Sequence, residues 1–167
     1  MHSHISRKSF LNGSLLGALG LLVGPGIVSA FQKREKGPQL DKELVKEFVA
    51  VAHKDETKTK DMLAANPDLL NSVHNLGSWD WEDALGAAGH VGNPSLAEFL
   101  LAQGARPTIC VFAMLGKTDI VKAMITAYPQ MKAAKGPHEI SLLRHALAGG
   151  ASSEETVAYL KSIGCQE

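Results

Sequence analysis

Residues 92–105 read GNPSLAEFLLAQGA, and a related pattern, GKTDIVKAMI, returns at residues 116–125. Each copy places a glycine before a short segment whose paired aliphatic residues follow the spacing of one helix face. Repetition of a short helical unit is typical of proteins in which consecutive units stack and cover each other's apolar surface. The pattern therefore predicts a stack of helical hairpins rather than a globule around one core.

The same alternation of two short helices extends over most of the chain. Asp41 is a suitable N-cap for the first helix, and Asn66-Pro67 ends the second. Gly92 and Gly104 end the next two helices, as glycine commonly does. Four helix pairs are predicted, at residues 41–65, 85–104, 110–127 and 141–163. The predicted fold class is all-α.

The second pair carries a family resemblance. Its skeleton consists of Asp83-Ala84-Leu85, the alanines at 87 and 88, Gly92, Leu96-Ala97, Leu100-Leu101 and Gly104-Ala105. This skeleton resembles the ankyrin repeat, although the family's Thr-Pro and His are replaced by Asp83-Ala84 and Gly86. The resemblance implies an ankyrin-like stack of about four helix-turn-helix repeats within residues 41–167. It also implies that inner helices and projecting loops form a concave face that binds another protein.

The spacing of the repeats is uneven. Gly92 and Gly116 are 24 residues apart, whereas Gly116 and Gly150 are 34 apart, close to the family period of about 33. One connection is therefore shortened, and residues 104–109 are predicted to form a tight link without a β-hairpin. Residues 66–82 and 128–140 are long enough to project as two loops, which we expect to flank a gap.

The first thirty residues read as an export signal. Arg7 and Lys8 precede an apolar segment at residues 11–23, and small residues at 28–30 offer a cleavage site. The segment at residues 6–11 resembles the twin-arginine signal of bacteria, with Lys8 in place of the second arginine, so that route and the general secretory route both stay open. The interrupted apolar segment predicts no stable membrane span after cleavage. We expect a signal peptide at 1–30, a polar linker at 31–40, and export to the periplasm or the medium.

The composition limits the classes of partner and the covalent links that the sequence predicts. The chain has 167 residues, with 17 Lys plus Arg against 17 Asp plus Glu. Without a basic excess, nucleic acid is not a predicted partner, and we expect a monomer. The oxidising compartment would permit a bridge between Cys110 and Cys165, but two buried thiols are the favoured interpretation.

The strongest binding candidate is the loop at residues 74–82, which contains both tryptophans of the chain close in sequence to two carboxylates. Large rigid aromatic side chains anchor protein interfaces well. The alternative is that each indole folds back over the neighbouring helices. The candidate partner-binding residues are His74, Trp79, Asp80, Trp81, His138 and Glu139.

Metal binding and catalysis are not predicted. The histidines at 53, 74, 90, 138 and 145 show no recognised ligand spacing, which favours structural or surface roles. We expect His145 to hydrogen-bond a neighbouring loop, as polar residues at that turn do in the repeat family. No nucleophile elbow, zinc-protease motif or phosphate loop occurs. The chain is therefore predicted to be a non-enzyme without metal or cofactor.

The sequence as a whole predicts an exported, non-enzymatic, ankyrin-like module. It would bind an unidentified protein through its concave face and the loops at 66–82 and 128–140. One alternative is a small-molecule or glycan-binding module that uses Trp79 and Trp81. Another is a cofactor-dependent enzyme that uses His138 and His145.

Overall fold

Eight short helices in four antiparallel pairs make up most of the protein in the computed structural model, which describes residues 37–167. The expected signal peptide and most of the expected linker lie outside the described residues. The helices are α1 (Lys42–Ala52), α2 (Glu56–Ala65), α3 (Ala84–Val91), α4 (Pro94–Ala102), α5 (Ile109–Met114), α6 (Thr118–Ala127), α7 (Leu142–Ala148) and α8 (Glu154–Ser162). The predicted all-α class and the four helix pairs are confirmed.

Local side-chain chemistry fixes where these helices begin and end. Asp41, the predicted N-cap of α1, accepts hydrogen bonds from the backbone N–H groups of Glu43 and Leu44. Asp83 caps α3 in the same way, by accepting from the Gly86 N–H at 2.6 Å. At the end of α3, Gly92 has a φ of 72°, a conformation that suits glycine.

The first helix of each pair packs against the first helix of the next pair. In this way α1 lies on α3, α3 on α5, and α5 on α7, while each second helix packs on its own partner. Small residues make this close stacking possible, since Ala84, Ala87 and Ala88 are fully buried in α3. The buried apolar side chains form two clusters, one mainly in the first two pairs and the other in the last two.

None of the helices in residues 37–167 is long and apolar enough to cross a membrane.

The connection predicted at residues 104–109 contains no β-hairpin, as expected, but it ends one residue earlier because α5 begins at Ile109. The earlier connection instead contains an antiparallel hairpin of β1 (His74–Gly77) and β2 (Asp80–Glu82), in which His74 pairs with Glu82. The later connection contains two 3₁₀ turns, at Pro129–Ala133 and Pro137–Glu139.

The expected gap between the two long connections is wrong. The backbone N–H of His138 donates to the Asp80 carboxylate at 2.9 Å, so the later connection touches the hairpin of the earlier one. Pro137 also packs closely on α3, since a Cβ added to Gly86 would lie 3.0 Å from the Pro137 Cγ. The physical reason is the short link itself: no projection stands between the two long connections, so they meet over α3.

Candidate metal centre

Four side chains converge where the two long connections meet. His53 caps the C-terminus of α1, Glu82 ends β2, His90 lies in the last turn of α3, and His138 lies in the 3₁₀ turn at Pro137–Glu139. One ligand atom from each of the four lies within 4.8 Å of the others. We call these four residues the His₃Glu cluster.

The carboxylate of Glu82 is the centre of the cluster. Its Oε1 lies 2.8 Å from the Nε2 of His90 and 3.2 Å from the Nε2 of His53. Its Oε2 lies 3.4 Å from the Nε2 of His138. The two imidazole nitrogens of His53 and His90 are themselves 3.1 Å apart. All three rings therefore direct their Nε2 atoms toward one carboxylate.

These separations match the edges of a small coordination polyhedron. Tetrahedral zinc binds nitrogen and oxygen at about 2.0–2.2 Å, which places neighbouring ligand atoms about 3.4 Å apart. The contacts between the imidazole nitrogens and the Glu82 oxygens, at 2.8–3.4 Å, lie near that spacing, while the four ligand atoms as a set lie within 4.8 Å of one another.

Hydrogen bonds at the far side of two rings fix their tautomers. The Nδ1 of His53 lies 2.9 Å from the Val49 carbonyl oxygen, which can only accept, so Nδ1 carries the proton. The Nδ1 of His138 lies 3.2 Å from the Asp80 Oδ2 and donates to it in the same manner. With the proton of each ring on Nδ1, Nε2 is the nitrogen that faces the Glu82 carboxylate and could bind a metal ion.

A positive charge is needed where these nitrogens face the carboxylate. The contacts of His53 and His138 with Glu82 are favourable with either a proton on Nε2 or a cation bound between the groups. Metal-binding histidines usually donate their outer N–H group to a carbonyl or carboxylate oxygen in this way.

The cluster is buried on one side and open on the other. Glu82 is 2% exposed and His90 11%, whereas His53 and His138 are 28% and 38% exposed. A cation held here would lie against a protein floor, with a solvent-facing edge between His53 and His138. Such an edge lets an ion enter and leave.

The later connection contributes His138 to the cluster, and its backbone is strained at this residue. His138 and Glu139 have φ values of 59° and 56°, although neither is a glycine. Such conformations cost of order 1–3 kcal/mol each and persist where the surroundings enforce them. Here the Lys135–Ser141 bridge closes the loop that presents His138 to the cluster.

The structure places the residues predicted to bind a partner in different surroundings. Asp80 and His138 contact each other beside the cluster. Trp79 and Trp81 are 85% and 62% exposed, so neither indole folds back over the helices. Glu139 pairs instead with Lys135 at 3.3 Å, and His74 lies on β1, outside the cluster.

His145 is not part of the cluster. Its Nδ1 donates to the carbonyl oxygen of Ser141, four residues earlier, rather than to the neighbouring loop that we expected. Its Nε2 is buried and has no hydrogen-bond partner among the described residues. Burial lowers the pKa of this imidazole below its usual value and keeps the ring neutral.

The two cysteines are buried, unpaired thiols. Burial raises the pKa of Cys110 to about 11, so this side chain carries no charge at neutral pH. Neither sulfur contributes to the His₃Glu cluster.

Sequence reasoning missed His53, Glu82 and His90 as functional residues because they are far apart in the chain. The one sequence signal for their convergence is the short distance of 24 residues between Gly92 and Gly116. It leaves no room for a third projecting loop, which would otherwise separate the two long connections.

No protein-family model matches the chain, and no curated protein matches it at a significant level of similarity.

Proposed function

We propose that this protein is a binding module for one divalent transition-metal ion, held by His53, Glu82, His90 and His138. The convergence of three imidazole Nε2 atoms on the buried Glu82 carboxylate is the observation that carries the proposal. Acceptors at the outer nitrogens of His53 and His138 support it, because metal-binding histidines usually have them. This proposal departs from the structural or surface roles that the sequence favours for the histidines.

The donor set narrows the choice of ion. Three imidazoles and one carboxylate suit zinc, copper, nickel or iron, whereas magnesium and calcium prefer a shell made of oxygen atoms. No thiolate takes part, so the centre is compatible with an oxidising compartment. We propose zinc as the first ion to test, within an exported, periplasmic or secreted protein.

Metal stoichiometry tests the proposal directly. Purified protein stripped with a chelator and dialysed against zinc should retain one ion per chain by elemental analysis. Glu82→Gln should lower the affinity at least tenfold, because it removes the charge that all three imidazoles face. His138→Gln should act in the same direction.

His74→Gln provides the matched control. This histidine lies on β1 opposite Glu82 in the hairpin register but contributes nothing to the cluster. Its variant should retain one zinc ion with unchanged affinity. Loss of zinc in this variant, or full retention in Glu82→Gln, would contradict the proposed site.

The ankyrin-like stack is part of the same proposal. Consecutive packing of α1, α3, α5 and α7 supports it, as does the short link at residues 104–108. In this interpretation the missing projection is what creates the metal centre. His138 reaches Glu82 because no intermediate loop lies between them.

Binding of a protein partner is a second candidate function, and the exposure of both tryptophans favours it. Trp79 and Trp81 project from the hairpin with 85% and 62% of their surface accessible. Exposed indoles of this kind are typical interface anchors. The double change Trp79→Ala, Trp81→Ala should abolish capture of a partner from the extracytoplasmic fraction without loss of zinc, and intact capture would remove this candidate.

A further inference from the structure

A second cavity lies beside the hairpin. It has a volume of about 350 Å³, and its walls include Trp79, Trp81, Asp83, Ile109 and Pro137. We call it the tryptophan pocket. Sites for small molecules commonly occupy about 300–1,000 Å³, so this one fits a compact ligand.

Strand geometry separates the pocket from the metal centre. Side chains alternate across an extended backbone, so Trp81 and Asp83 lie on the side opposite to Glu82. Glu82 belongs to the His₃Glu cluster, whereas its two neighbours line the pocket. One short extended segment thus serves two sites with different chemistry.

The aromatic side of the pocket is suited to a cation. Both tryptophans of the chain line this one cavity, and both are mostly exposed in spite of their apolar surface. The face of an indole ring carries negative electrostatic potential and attracts ammonium groups within about 6 Å of its centre. Grouped aromatic side chains are the usual recognition device for alkylated ammonium compounds.

The polar side of the pocket is dominated by acceptors. Asp83 is partly buried and accepts one hydrogen bond from the Gly86 N–H. None of the ion pairs among residues 37–167 involves Asp83. Two further residues line the same cavity: Asp80, whose carboxylate accepts from His138, and His145, whose Nε2 has no partner among the described residues. A carboxylate held away from water without a cation favours a positively charged ligand.

The lysine that lines the pocket does not supply a cation for Asp83. Lys135 lines the pocket, but its Nζ pairs with the Glu139 carboxylate at 3.3 Å. Asp83 is therefore left without a cationic partner among the described residues.

We infer that the tryptophan pocket binds a small organic cation, a primary or quaternary ammonium compound, between the indole rings and the Asp83 carboxylate. This function goes beyond metal binding, since none of the four residues of the His₃Glu cluster lines the pocket.

A matched pair of probes isolates the role of charge. Choline and 3,3-dimethyl-1-butanol have nearly the same shape, but only choline is charged. Titration of the purified protein with each probe, followed by tryptophan fluorescence and calorimetry, should give saturable binding of choline and at least tenfold weaker binding of the neutral alcohol. Equal affinity for the two probes, or no saturable signal with choline, would overturn the inference.

Variants then locate the site. Asp83→Asn should weaken choline binding about tenfold while α3 stays capped, because asparagine is also a good N-cap. Asp61→Asn makes the same chemical change at an exposed carboxylate outside the pocket and should have no effect. Trp79→Leu with Trp81→Leu should remove the calorimetric heat, which is the readout for this variant because it contains no tryptophan. Retention of the heat in this double variant would show that choline binds elsewhere.

Discussion

His145 is a buried imidazole of α7 that lies against Gly89 of α3 and Gly136 of the later connection. It is 1% exposed, and its Nδ1 donates to the Ser141 carbonyl oxygen. Burial lowers its pKa from the usual value of 6.5, so the unfolded chain takes up a proton at a higher pH than the native protein does. The free energy of unfolding should therefore fall as the pH drops below about 6.5.

His145→Asn tests this pH dependence. Asparagine can keep a donor near the Nδ1 position but cannot be charged. Although the smaller side chain lowers stability at all pH values, the variant should show a shallower loss of stability below about pH 6.5 than the parent protein. Chemical denaturation of both metal-free proteins between pH 7.5 and about 5 measures the difference, and parallel pH profiles would contradict the assignment.

The four residues of the His₃Glu cluster show why residue-level reasoning from sequence is limited. The spacing rules for metal sites describe ligands within one turn, one helix or one loop. His53, Glu82 and His90 come from three different elements, and His138 comes from a connection after α6. Their convergence depends on packing, which no local spacing encodes. Asp41, by contrast, could be assigned as an N-cap because that role depends on its nearest neighbours alone.

At the scale of elements, the loop that presents His138 depends on a glycine. A Cβ added to Gly136 would lie 2.5 Å from the Cε1 and 2.7 Å from the Nε2 of His145, closer than atoms normally approach. Gly136→Ala should therefore displace the loop from α7 and move His138 away from Glu82. We expect at least a tenfold loss of zinc affinity, which corresponds to about 1.4 kcal/mol.

Gly150→Ala is the control for this experiment. Gly150 has a φ of 60° and nothing near its added Cβ, so alanine there strains the backbone without touching the cluster. That variant should lose stability in thermal unfolding but keep the parent affinity for zinc. If both glycine variants bind zinc like the parent, the loop does not need Gly136 to position its ligand.

The elements themselves were largely predictable, and their contacts were not. Apolar spacing, together with Gly92, Gly104 and Asn66-Pro67, located the helix pairs because helix faces and helix ends are local properties. The two long connections were recognised from their length. The expected gap between them was wrong because Pro137 packs on α3 at Gly86, a contact between residues far apart in the chain.

At the scale of the whole molecule, a bound ion would join three separate parts of the chain. His53 belongs to the first helix pair, Glu82 and His90 to the hairpin and the second pair, and His138 to the connection before α7. A ligand that binds only the native state stabilises it by about 2.7 kcal/mol when its free concentration is about 100 times the Kd. The stabilisation should be concentrated in the segments that the ion joins.

Hydrogen exchange can detect this pattern. Zinc should slow exchange in residues 74–82 and 134–141 together, while α8, which contributes no ligand, should change little. Glu82→Gln should remove both effects at once. Protection confined to a single segment, or spread evenly over all helices, would contradict a centre shared by the two connections.

The short link at residues 104–108 has a consequence for how the protein matures. It lets the later connection complete a centre that the first two hairpins begin, so a nascent chain that has not yet reached His138 lacks one ligand. Complete coordination of the proposed ion would therefore wait until the later connection has been made and has packed on the β1–β2 hairpin. A fully coordinated ion at this centre would then indicate that the helix pairs have finished packing together.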